Sequence, residues 1–137
     1  MALGKIEHVG IAVADLKASE ELYEKLLGTA PYKRERVDSE GVETSFFQAG
    51  PNKIELLTAT HPNSPIQHFL EKNGEGIHHV AFHVDNLQEE IERLKKEGFV
   101  VLNDPPKPGA DGKLIAFLHP KTTGRVLVEL CQDLPQP

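Results

Sequence analysis

Three histidines fall within one otherwise apolar stretch, Gly76-Ile77-His78-His79-Val80-Ala81-Phe82-His83-Val84. A run this short, rich in β-branched and aromatic residues, reads as a strand. Successive side chains of a strand point to opposite faces. His79, Ala81 and His83 therefore share one face, and His78, Val80, Phe82 and Val84 share the other. The second face has the composition of a core. The first carries two imidazoles, groups that ligate metals and carry protons near neutral pH.

The pattern occurs twice. Ile6-Glu7-His8-Val9-Gly10-Ile11-Ala12-Val13-Ala14-Asp15-Leu16 lies 71 positions before Ile77 to Leu87 and matches it at Ile, His, Val, Val and Leu. An internal repeat of this kind governs the reading of the whole chain. Ile54-Glu55-Leu56 recurs 74 positions later as Val128-Glu129-Leu130, and Phe47 aligns with Phe117 at an offset of 70. Each half thus carries one His on its first strand and one Glu on its last, and both Glu residues interrupt apolar strands. A lone His or Glu on a strand is ordinarily solvated or hydrogen-bonded; recurrence at matched positions is what points to chemistry.

Two imidazoles and two carboxylates suit a divalent ion such as Co²⁺, Mn²⁺, Ni²⁺, Fe²⁺ or Zn²⁺. A closed structural site tends to use thiolates, which this set lacks, and the set is too rich in nitrogen for a dedicated Ca²⁺ site. Halves related by a pseudo-twofold would bring His8, Glu55, His79 and Glu129 to one cleft. His83 faces that cleft as a candidate substrate contact, whereas His78 aligns with Glu7 on the opposite face. His61 and His68 are read as surface residues.

The elements that must position these groups follow from periodicity and breakers. After the first strand, Asp15 is a candidate N-cap, Leu16 to Leu27 has helical spacing and Gly28 ends it. Strands are expected over Tyr32 to Val37, Val42 to Ala49 and Lys53 to Ala59, separated by the turns at Asp38-Ser39-Glu40-Gly41 and Gly50-Pro51-Asn52. The unit is β-α-β-β-β. Residues 61–75 connect the halves and hold a short helix, Pro65 to Lys72. The second half repeats the order: strand Ile77 to Val84, helix Leu87 to Glu97, strand Phe99 to Leu102, a loop from Asp104 to Gly112, strand Lys113 to Leu118, a turn from His119 to Gly124 and a last strand from Arg125 to Cys131. Gln132 to Pro137 is expected to be a loose tail.

The chain has 137 residues, which suggests one domain over 1–137, with repeats at about 5–60 and 76–132. Its formal net charge of −6 and the lack of basic runs argue against nucleic acid as a partner. No apolar stretch approaches the roughly 20 residues of a membrane span. A strand at the very N-terminus leaves no room for a signal peptide. The single Cys131 excludes an internal disulfide and fits a reducing, cytoplasmic setting; it reads as a quiet, partly buried thiol.

With these residues in view, the chain resembles the vicinal oxygen chelate superfamily, and within it the methylmalonyl-CoA epimerase family. The resemblance covers about residues 5 to 132. It is carried by Ile6-Glu7-His8-Val9-Gly10-Ile11-Ala12-Val13, Lys53-Ile54-Glu55-Leu56-Leu57, Ser64-Pro65-Ile66, Gly76-Ile77-His78-His79-Val80-Ala81-Phe82, Phe117-Leu118-His119-Pro120-Lys121, Gly124 and Val126-Leu127-Val128-Glu129-Leu130. It implies an α+β fold of two tandem βαβββ modules in a curved, partly open eight-stranded sheet around a metal cleft, with helices outside. It implies metal ligands at His8, Glu55, His79 and Glu129, Co²⁺ as the first ion with Mn²⁺, Ni²⁺ and Zn²⁺ as alternatives, an acyl-CoA substrate and a homodimer. The implied reaction interconverts (R)- and (S)-methylmalonyl-CoA by removing the C2 proton through a metal-stabilised enolate.

Glu129 is the first candidate base, as ligand and proton acceptor together. Some family members place a second catalytic Glu where this chain has Thr44. Glu43 lies beside that position but on the other face, so the second proton group is Glu43, His83 or a water. Lys107, Lys113, Lys121 and Arg125 are the cations available to CoA phosphates. A glyoxalase-type isomerase using the same metal chemistry is the alternative enzyme, and a small-molecule binding or sequestration protein of the same fold the alternative of another class. An extradiol dioxygenase needs two His and one carboxylate on Fe²⁺, and four candidates stand here.

Overall fold

The computed structural model describes residues 2–135. Of the expected loose tail, Gln136 and Pro137 lie outside the described residues. The chain divides into two compact units, His8–His78 and a second composed of Met1–Glu7 with His79–Pro137.

The first unit takes the strands β1 (Ile6–Ala12, from His8 onward), β2 (Lys33–Val37), β3 (Val42–Ala49) and β4 (Asn52–Ala59), with helices α1 (Leu16–Leu27) and α2 (Pro65–Asn73). Its strands lie in the order β2-β3-β4-β1. β3 is antiparallel to both β2 and β4, and β1 runs parallel to β4. Helix α1 is capped as its sequence suggests. The Asp15 side chain accepts from the Ala18 N–H at 3.0 Å, and Gly28 adopts the left-handed conformation (φ 76°) that closes the last turn. Strand alternation separates two apolar clusters. Val13, Leu16, Phe47 and Leu56 pack together with Tyr23 and Leu27 of α1, while Ala12, Val42 and Leu57 pack with Ile66, Phe69 and Leu70 of α2.

The second unit takes β5 (Gly76–His83, from His79 onward), α3 (Leu87–Lys96), β6 (Lys107–Pro108), β7 (Lys113–Leu118) and β8 (Val128–Asp133), in the order β5-β8-β7-β6. β5 is parallel to β8, as β1 is to β4. Leu87, Ile91 and Leu94 of α3 bury against Val84, Ala116, Leu118 and Leu130. Glu90 joins that buried face at 1% exposure, satisfied by Arg93 Nε at 3.2 Å from both carboxylate oxygens.

Five local expectations are corrected. Phe99 to Leu102 is not a strand; it keeps one bridge, Val101 to Leu118, because the Asn103 side chain takes the Phe117 N–H at 2.9 Å in place of a backbone carbonyl. The edge pairing resumes inside the proline loop as β6. The last strand starts at Val128 rather than Arg125, which still turns with φ 73° and donates its N–H to the Pro120 carbonyl. That strand runs on through Gln132 and Asp133, which pair with Leu114 and Lys113, so these two residues are not tail. The N-terminal segment also departs from the repeat boundaries: the Gly4 N–H donates to the His83 carbonyl at 2.8 Å and the His83 N–H to the Lys5 carbonyl at 2.9 Å, which ties it to the second unit.

On the α1 side of β3, buried Ser45 donates its hydroxyl to Glu20 at 2.6 Å, and Arg34 pairs with the same carboxylate. Burial pushes the Glu20 carboxyl up, but the hydrogen bonds from Arg34 and Ser45 and the Arg34 charge together hold it below its ordinary value. A carboxyl depressed in the folded state stabilises above its unfolded value and loses that contribution as pH falls through the folded one. Glu20→Gln should therefore lower stability by about 1 kcal/mol near neutral pH. Its deficit against wild type should shrink below about pH 4.3, the ordinary glutamate value. Urea unfolding of both proteins across that range checks it.

Candidate active site

Each unit builds one buried imidazole–carboxylate pair from its two parallel strands. In the first, Glu55 on β4 lies level with Gly10 on β1, two residues beyond His8. Gly10 has no side chain to obstruct the carboxylate, and Glu55 Oε1 reaches His8 Nε2 at 3.3 Å. In the second, Glu129 on β8 lies level with Ala81 on β5, two residues beyond His79, and Glu129 Oε1 stands 3.2 Å from His79 Nε2. The four residues are 3–6% exposed. The sequence expectation of one His and one Glu per half thus appears as two pairs of nearly equal geometry.

The donors suit a divalent ion. Two ligand atoms each about 2.1 Å from an ion, subtending about 100°, lie roughly 3.2 Å apart, and both Nε2–Oε1 separations match that spacing. A carboxylate buried beside an imidazole needs a compensating cation or donors.

The aromatic frame of each pair was only half legible. Phe46 is directly opposite Glu55 on β3, and Phe117 directly opposite Glu129 on β7. Phe46 stands edge-on to His8 (centroids 6.5 Å, 89°) and Phe117 edge-on to His79 (5.9 Å, 88°). The equivalent of Phe117 is therefore Phe46 and not Phe47, which packs on the α1 side. The offset of 71 that relates His8 to His79 also relates Phe46 to Phe117, and carrying it through would have found the pair.

The other candidates are distributed as follows. Glu43 shares its face of β3 with Ser45 and Phe47, opposite the face of Phe46, and lies 4.0 Å from Arg34 Nη1. Thr44 is buried on the same face as Phe46. His83 follows His79 and Ala81 on one face of β5, level with Cys131, with its Nε2 3.2 Å from Asp85 Oδ1. Cys131 is fully buried with Ala81 and Ile115. His78 stands edge-on to Phe69 of α2. His61 and His68 are exposed. Among the cations, Lys121 and Arg125 are exposed in the turn before β8. Lys113 instead pairs with Asp133 and lies 4.0 Å from buried Glu7, a grouping that sequence reading missed because its members come from three separate segments. The hydrogen bond from Lys113 holds the Asp133 carboxyl below its ordinary value against the opposing effect of burial. No helix among the described residues is long and apolar enough to cross a membrane.

Comparison with known proteins gives these pairs a context. Residues 7–117 match the glyoxalase/bleomycin resistance protein/dioxygenase superfamily. The mouse mitochondrial methylmalonyl-CoA epimerase is 42% identical over 131 residues, 95% of this chain and 74% of that protein. The ethylmalonyl-CoA/methylmalonyl-CoA epimerase of Cereibacter sphaeroides is 42% identical over 132 residues, 95% of this chain and 98% of that one. A Streptomyces coelicolor methylmalonyl-CoA epimerase variant, solved with 2-nitronate-propionyl-CoA, superposes with a TM-score of 0.93 at 34% identity, covering 98% of this chain and all of that one. The chain belongs to the glyoxalase/bleomycin resistance protein/dioxygenase superfamily.

Proposed function

We propose that this chain is a methylmalonyl-CoA epimerase whose divalent ion is held by His8, Glu55, His79 and Glu129. The observation that supports it is the buried His–Glu pair, present once in each repeat of a chain that is 42% identical to epimerases over 95% of its length. Co²⁺ is the proposed ion, with Mn²⁺, Ni²⁺ and Zn²⁺ accepted by the same donors. A cytoplasmic homodimer is the proposed state. A glyoxalase-type isomerase or a sequestration protein is not favoured, because relatives matched over 95% of the chain include methylmalonyl-CoA epimerases of mouse and Cereibacter sphaeroides.

Epimerisation removes the C2 proton of the malonyl group and returns it on the other face. When bound, a divalent ion supplies Lewis acidity that stabilises negative charge on the thioester oxygen. Glu129 accepts the C2 proton. Its carboxylate is buried, with Ala81 and Phe117 level with it on the neighbouring strands. His83 shares the His79 face and remains partly exposed, so it returns a proton and exchanges it with solvent. Glu43 is turned to the α1 side and takes no part. Exposed Lys121 and Arg125 meet the phosphates of the CoA arm.

Elemental analysis of wild type and His79→Ala checks the ligand set: the variant should lose tightly bound metal, and full retention would refute the assignment. In D₂O, the wild-type chain should incorporate deuterium at C2 of methylmalonyl-CoA and lose that activity to a chelator. Absence of enzyme-dependent uptake with metal supplied would refute the epimerase reading, and turnover of the methylglyoxal–glutathione adduct would support the isomerase instead. Steady-state kinetics separate the two carboxylates. Glu129→Gln should lower kcat by more than the roughly 10²–10⁴-fold of losing an acid–base group, since metal affinity falls too. Glu43→Gln should cost less than about tenfold, about 1.4 kcal/mol of barrier. A large loss for Glu43→Gln with metal intact would make Glu43 the second base.

A further inference from the structure

We propose that Phe46 and Phe117 are positioning residues that fix the ring planes of His8 and His79 and so set how tightly the ion is held. The proposal rests on the metal reading above.

An imidazole on a strand has a broad torsion about its Cβ–Cγ bond. Its Nε2 is aimed only if something restrains the ring plane. Outer-shell partners supply that restraint in metal sites generally, and losing one typically costs 10–100-fold in affinity. Here each imidazole has a phenyl ring set against it. Phe117 meets His79 at 88° with centroids 5.9 Å apart, and Phe46 meets His8 at 89° and 6.5 Å. Both lie within the 4.5–7 Å range of edge-to-face pairs, whose geometry follows from the ring quadrupole.

Register places each ring where it can act. Phe46 is directly opposite Glu55 and Phe117 directly opposite Glu129. On one face, then, three strands present phenyl, carboxylate and imidazole. The carboxylate strand lies between the other two and its Oε1 reaches Nε2, while the phenyl ring, perpendicular to the imidazole, limits rotation of that ring. A structural core contact alone would not predict this arrangement in both units, with the same interplanar angle to within a degree.

Co²⁺ is the probe, because its visible bands report ligand geometry and its affinity can be read by chelator competition. Phe117→Leu keeps apolar volume and removes the ring; Phe117→Tyr keeps the ring. Ile115→Val trims the same apolar cluster as Ala81, Cys131 and Phe117 without removing the ring that faces His79. Phe117→Leu should weaken Co²⁺ binding about 10–100-fold and shift its bands. Phe117→Tyr should restore both toward wild type, and Ile115→Val should lower the Tm while leaving affinity and bands unchanged. Phe117→Leu binding Co²⁺ with wild-type affinity and spectrum overturns this proposal alone. Wild type that takes up no Co²⁺ overturns the metal reading and this proposal with it. Should Phe117→Leu fail to fold, Phe46→Leu in the other unit gives the same readout for His8, with the same two outcomes.

Discussion

A carboxylate held beside an imidazole in a nearly dry site sets the terms for this molecule. Such a pair is costly to bury without a cation or a full set of donors, and it appears twice, at His8–Glu55 and His79–Glu129. Both pairs use the same strand arithmetic. The Glu lies level with the residue two beyond the His on a parallel neighbour, and that residue is Gly10 in one unit and Ala81 in the other. Smallness there is what lets the carboxylate lean back to Nε2. The parallel pairing of first and last strand in each βαβββ unit is therefore a condition of the His–Glu pairs as well as of the topology.

The rest of each unit holds those strands in register. In the first unit α1 covers the face of Phe47 and Leu56, opposite the face of Phe46 and Glu55, and in the second α3 packs on Ala116, Leu118 and Leu130, opposite Phe117 and Glu129. Two acids stand on these helix-covered sides, Glu90 buried and Glu20 partly buried. Glu90 is closed by Arg93 on its own helix, and Glu20 by Ser45 and Arg34 from two strands. Both of these carboxylates meet a guanidinium. The site carboxylates meet an imidazole nitrogen instead, which is also what two ligands of one ion present.

Alternation along a strand also separates the candidate proton carriers. Thr44 and Glu43 are neighbours, yet one faces with Phe46 and the other with Ser45, where Arg34 waits. His79 and His83 are four residues apart and share a face, but their surroundings differ. His79 is enclosed by Glu129 and Phe117, whereas His83 sits near the rim beside exposed Asp85. The two imidazoles thus differ in their access to water, His79 being buried and His83 partly exposed.

The sequence by itself determined the repeat, the βαβββ order, the helix caps at Asp15 and Gly28, and one His and one Glu per half, because these depend on local propensity and on the period-two and period-3.6 patterns. Glu43 facing away from the Thr44 side also followed from alternation alone. Tertiary structure decided what depends on partners far along the chain. The Phe99 segment lost its ladder to the Asn103 side chain, the last strand shifted to start after the left-handed Arg125, and the segment of Gly4 and Lys5 joined the second unit through His83. Lys113, offered by sequence as a surface cation, is held by Asp133 and near Glu7. Phe46 rather than Phe47 took the place matching Phe117, since the residue opposite a Glu is fixed by antiparallel register, and register is a property of two strands that neither strand's own residues record.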